Sequence, residues 1–140
     1  MLRILAGSFV AACLVASAGC GNSDIYPVQG KVLYRGQPAA GATITFVRKG
    51  AVDRLTEQTP QGVVGEDGSF SLSSPIGAGA APGEYAVLVE WKTGAGRIKG
   101  RSPGLNAPDR LHRRYLDPTH PLLTATVEQK SNTLPTFELQ

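Results

Sequence analysis

Residues 84–92 read EYAVLVEWK, and this stretch decides the fold. Tyr85, Val87, Val89 and Trp91 alternate with Ala86, Leu88 and Glu90. A period of two puts the first four on one face of a β-strand. The second set also carries apolar groups, which predicts a strand covered on both faces and central in its sheet.

Working outward, the same period recurs on both sides. Upstream lies PIGAGAAPG (75–83), a Gly-rich connection, and before it QGVVGEDGSFSLSS (61–74). There Asp67-Gly68 predicts a tight hairpin turn with φ > 0 at both central positions, and Phe70 and Leu72 face inward. ATITFV (42–47) points Ala42, Ile44 and Phe46 one way, and Thr43 and Thr45 the other. YPVQGKVLY (26–34) puts Val28, Gly30, Val32 and Tyr34 on one face, and RGQPAAG (35–41) follows as turn and loop. Arg48 to Pro60 is polar and reads as loop. Downstream, Thr93 to Pro121 has no strand period and is the longest expected loop, with one helical turn near Arg110–Tyr115. LLTATVEQ (122–129) turns Leu123, Ala125 and Val127 inward, KSN is a tight turn, and TLPTFELQ (133–140) turns Phe137 and Leu139 inward. Pro135 lacks an N–H and marks an edge strand or a bulge.

About seven short strands joined by polar turns predict an all-β, antiparallel β-sandwich. Its expected core is Val32, Ile44, Phe46, Phe70, Leu72, Tyr85, Val87, Val89, Val127, Phe137 and Leu139. Trp91 shares the Tyr85 face and is expected in the core rather than as an exposed platform. The 17 glycines and 10 prolines are spread along the 140 residues, as many short elements require.

The chain begins differently. Arg3 is followed by an uncharged, mostly apolar run from Ile4 to Ala16. A bilayer-spanning helix needs about 20 apolar residues, and these 13 suit the apolar region of an export signal. Ser17-Ala18-Gly19-Cys20 follows at once. This resembles the lipobox of bacterial lipoproteins, with Ser17 where that family usually carries Leu, Val or Ile. The resemblance implies that residues 1–19 are removed and that Cys20 is lipidated, carrying fatty acyl chains. Residues 20–25 then form a lipidated cysteine and short tether, and 26–140 one domain. On this reading Cys13 leaves with the signal, so the two cysteines of the chain do not pair.

The domain itself resembles the carboxypeptidase regulatory-like family. The residues that carry this are VQGKVLYRGQPAAGATITFV, then GEDGSFSL, then PGEYAVLVEW. The family implies a seven-stranded transthyretin-like (prealbumin-like, Ig-like) sandwich. It implies little about activity, because such sandwiches serve as adhesion, accessory and sugar-contacting modules alike.

Charge is unevenly spread. From Lys92 to Arg114 there are seven basic residues against one acid, Asp109. The chain without Arg3 carries +2, so the remainder of the domain carries −4. Arg97, Lys99, Arg101, Arg110, Arg113 and Arg114 are therefore the candidate contacts with an anionic surface: an envelope component or a protein partner. Nucleic acid is not expected outside the cytoplasm. His112 and His120 are the only histidines, too few for a zinc site of three or four ligands. No nucleophile–base pair or carboxylate dyad is recognisable, and the early-strand His and C-terminal Tyr-Arg-Gly-Ser of transthyretin-like hydrolases are missing. The expectation is an exported protein, lipid-anchored to a membrane of the cell envelope, with no cofactor, metal or catalytic residue and a binding or structural role. The alternatives are a carbohydrate-binding or adhesion module and, further off, a transthyretin-fold enzyme.

Overall fold

A computed structural model describes residues 24–50, 59–95 and 103–140. Its strands, in chain order, are β1 Val28–Tyr34, β2 Gln37–Pro38, β3 Thr43–Arg48, β4 Gln61–Val63, β5 Ser69–Ser71, β6 Ser73–Ser74, β7 Gly77–Ala78, β8 Gly83–Glu90, β9 Thr124–Val127, β10 Asn132–Thr133 and β11 Phe137–Leu139. No helix occurs among the described residues.

β8 is central, as its two apolar faces require. It pairs antiparallel with β3 along six residues, from Thr43↔Glu90 to Arg48↔Tyr85. On its other side it pairs with β9, from Gly83↔Val127 to Ala86↔Thr124. The order β7-β6-β4-β3-β8-β9 makes a six-stranded sheet. The second sheet has five strands built on β1, which takes β5 and β2 as antiparallel partners and β10 and β11 as parallel ones.

The core lies between these sheets. All eleven residues expected there are buried, and Trp91 with them. Phe46 of the six-stranded sheet is wholly buried and meets Phe70 of the other at 6.4 Å and Tyr85 at 5.7 Å between ring centroids. Burial of an aromatic of this size contributes about 2–3 kcal/mol. Tyr85 and Trp91 can be core because their polar tips are paired: the Tyr85 hydroxyl donates to Ala81 O at 2.7 Å and the Trp91 indole N–H to Ala40 O at 2.9 Å. On the outer face of β8, Ala86 and Leu88 pack with Val47 and Leu116 as a smaller cluster.

The structure has eleven strands among the described residues where about seven antiparallel ones were expected: β2 lies within 35–41 and β7 within 75–83, both expected as connections, and three further departures have local causes. First, Asp67-Gly68 is not a two-residue turn. Gly65 N–H donates to Ser69 O and Gly68 N–H to Gly65 O, closing a three-residue loop in which Gly68 alone of the pair has positive φ (84°). This is a type I turn closed by a left-handed glycine with a bulge. Asp67 instead accepts from Ser69 N and Oγ at 3.0 and 2.6 Å, which holds its carboxyl below the usual range, chiefly through the hydroxyl. Second, the arms leaving this loop go to different sheets: β4 bonds to β3, β5 to β1. The chain crosses back at Leu72, so that Ser73 pairs with Gln61. Third, the last segment is two strands. Residues 134–136, with Pro135 at their centre, separate β10 from β11, and both run parallel to β1. Pro135 cannot donate to a ladder, which breaks the strand at that point.

Candidate functional site

The only run of charge strong enough to suggest a contact surface is the loop that follows β8. Its first stem continues the strand. Lys92 bridges Asp109, Thr93 N–H donates to Pro108 O at 2.9 Å, and Arg110 N–H donates to Trp91 O at 2.7 Å. The return stem then turns sharply, and Asp109 is the reason. Its Oδ1 accepts from the backbone N–H of Trp91 (2.8 Å) and Leu111 (3.2 Å), and its Oδ2 from Arg113 N–H (2.7 Å). Charge-assisted bonds of this kind are about twice as strong as neutral ones.

The turn pinned in this way contains two successive left-handed residues that are not glycine, His112 (φ 52°) and Arg113 (φ 62°). Such a conformation is costly for residues with a Cβ, about 1–2 kcal/mol each. It is held because Leu111 and Tyr115 are anchored in the core, 4% and 6% exposed. Tyr115 O also accepts from Val89 N–H at 3.1 Å, and Leu123 O from Val87 N–H at 2.9 Å, so both ends of the 115–123 segment are tied to β8. The expected helical turn over Arg110–Tyr115 is thus an irregular turn, and this part of the expected loop is packed structure. The sequence concealed it because Leu111 and Tyr115 are isolated apolar residues among charges, with no period to mark them.

Anchoring Leu111 and Tyr115 turns their neighbours outward. Arg110, His112, Arg113 and Arg114 are all exposed. The Arg110 guanidinium lies 3.6 Å from the centroid of the Trp91 ring. Tyr34 meets Trp91 edge-on at 5.7 Å, and Arg35 lies 5.1 Å over Tyr34. Arg114 sits 5.8 Å from the Tyr115 ring, and its Nη1 donates to Gln140 O at 3.5 Å. The Tyr115 hydroxyl accepts from Gln140 N–H, and Arg35 N–H donates to Leu139 O, which ties β11 and the β1–β2 turn to the same end. None of these four arginines is ion-paired with an Asp or Glu side chain among the described residues. Of the six expected contact residues, the structure brings Arg110, Arg113 and Arg114 together. Arg97, Lys99 and Arg101 lie outside the described residues, as do Cys20 and the segment before it. Arg35 joins the group unforeseen; only its place beside Gly36 in a hairpin turn hinted that it would be displayed.

The remaining candidates do not converge. Trp91 is 5% exposed and covered by Arg110, so it offers no platform to a sugar ring. His120 Nδ1 lies 3.3 Å from Asp117 in a separate turn. There the Thr119 hydroxyl, its backbone N–H and His120 hold the Asp117 carboxyl down to about 2. No group of three His, Cys, Asp or Glu among the described residues could hold a metal ion. A cleft of about 410 Å³ opens on the β1–β5 side, lined by Gln29, Lys31, Ser69, Ser71, Thr133 and Thr136 among others. Its lining offers hydroxyls, an amide and the Lys31 amine. No protein-family model matches this sequence, and no curated protein matches it significantly.

Proposed function

We propose that this chain is an exported lipoprotein, held to a membrane of the cell envelope by acyl chains on Cys20. Its domain is a carboxypeptidase regulatory-like, transthyretin-like sandwich with a non-catalytic binding role. The observation that carries the reading is Ser17-Ala18-Gly19-Cys20 directly after a 13-residue apolar run. The entry to the domain supports it. Tyr26 is already bridged to Ala80, so at most five residues, 21–25, separate Cys20 from fixed structure. At ~3.5 Å per residue the acyl chains would sit within about 20 Å of the sandwich. The two facing sheets with one core between them support the sandwich, and the exposed arginines without an acidic side-chain partner among the described residues support a contact with something anionic.

The test is processing. Intact mass of the membrane-extracted protein should give a chain that starts at Cys20 and carries acyl groups, and a Cys20→Ser variant should lose partitioning into detergent. A mature chain with an unmodified cysteine would sink the proposal.

A further inference from the structure

We infer that the arginine end of the domain binds an acidic polysaccharide, on the side away from where the chain enters. The direction of the contact relative to a membrane rests on the lipoprotein reading; the arginine site itself rests on the geometry.

The direction follows from β1 and β8. Tyr26, two residues before β1, exchanges backbone hydrogen bonds with Ala80, three residues before β8. At the other end Tyr34, the last residue of β1, meets Trp91, the first residue after β8. The two strands therefore run the same way, with chain entry at one end and the arginines at the other. Seven residues of strand at ~3.3 Å each put about 20 Å between these ends, more than twice the ~8 Å over which salt screens charge. Headgroups beside the anchor are thus out of electrostatic reach of Arg110, Arg113 and Arg114 in the upright domain.

The chemistry follows from how the arginines are held. Arg110, Arg35 and Arg114 each rest near an aromatic ring. Arg110, at 3.6 Å, is close enough to stack by its face and keep its N–H edge for a carboxylate in a two-pronged bond, while Arg114 gives one N–H to Gln140 O. The one acid between Lys92 and Arg114, Asp109, has both oxygens engaged by backbone N–H groups. A protein partner would require an apolar centre to the patch, and here Leu111 and Tyr115 are turned into the core. Leu105 is the only large apolar side chain exposed on the described part of this loop, and single exposed leucines are ordinary. What remains on view is a set of fixed cationic edges in a polar surround, which suits a hydrated polymer with a carboxylate on each repeat.

The probe is polygalacturonate, with neutral dextran as control and polyglutamate as competitor, against the full chain in detergent micelles. Polygalacturonate should bind and be released by salt, and dextran should not bind. Arg113→Glu with Arg114→Glu should weaken binding at least roughly tenfold while the melting temperature falls by no more than a few degrees, since both side chains are exposed and Arg114 makes only a long bond to Gln140 O and a loose ring contact; Arg110 is left alone because it packs closely on Trp91. In vesicles of phosphatidylcholine, adding phosphatidylglycerol should leave polygalacturonate binding unchanged. The proposal falls if the wild type does not bind polygalacturonate or if the double reversal is silent. It also falls if polyglutamate competes at lower concentration than free polygalacturonate, which identifies a protein partner, or if phosphatidylglycerol abolishes binding, which turns the arginines toward the anchoring membrane. An unmodified Cys20 overturns the lipoprotein reading and the direction with it, while the micelle assay still decides the site.

Discussion

Asp109 does more for the arginine end than any arginine does. Its carboxylate joins the end of β8 at Trp91 N–H to the turn at Leu111 and Arg113 N–H. Removing it strands three N–H groups and leaves two left-handed residues without their clamp. Asp109→Ala is expected to cost about 2–4 kcal/mol, read as a lower denaturant midpoint. Trp91 is the only tryptophan, so its emission reports the same event and should shift to the red as Arg110 leaves its face. An unchanged midpoint with unchanged emission would show that Leu111 and Tyr115 suffice to hold the turn. No reading of the sequence could assign this role. Asp109 stood out only as the acid opposing seven bases, whereas its task is to satisfy backbone donors that become visible only when the two stems pair.

At the scale of elements, the inward face of the longer strands was legible and their partners were not, while β2 and β7 were read as connections. Ile44, Phe46, Val87 and Val89 alternate cleanly and are buried as their period requires. Pro135 announced an edge strand or a bulge by its missing N–H; the structure goes further and divides the segment into β10 and β11, each paired to β1. Yet nothing local distinguishes β4 from β5, which leave one turn for opposite sheets, because alternation states which side is apolar and not which sheet supplies the cover. The connection 75–83 shows the same limit: it reads as Gly-rich loop, but one glycine in it is obligatory. Gly79 has φ 119°, and a Cβ there would lie 1.9 Å from the Tyr26 carbonyl oxygen. That atom is backbone, in the bridge that fixes the chain's entry, and cannot step aside. Gly79→Ala is therefore expected to cost about 3 kcal/mol or more in thermal or denaturant unfolding. Gly104→Ala, where nothing lies within 4 Å, should stay within ~0.5 kcal/mol. Equal effects at the two sites would refute the packing described at the entry.

For the molecule as a whole, stability rests on one core shared by two sheets, with Asn132 the only buried polar or charged side chain among the described residues, its amide bonded to backbone on both sides. Chelator or reductant should accordingly leave the melting temperature within a few degrees, the shift that ~1 kcal/mol would produce; a larger fall would reveal a metal or a cystine in the folded state. The pairing of β1 has a different kind of consequence. Val28 lies opposite Asn132 and Val32 opposite Phe137, partners more than a hundred residues apart. The strand nearest the start of the domain cannot acquire its outer neighbours until the final strand exists, which places the entropic cost of closing nearly the whole chain ahead of the contacts that reward it. Folding should be slow for the size of the domain. A chain emerging from the ribosome therefore keeps one side of β1 unpaired until residues 132–139 are made; if the chain is exported as proposed, that delay keeps it threadable for a translocation channel.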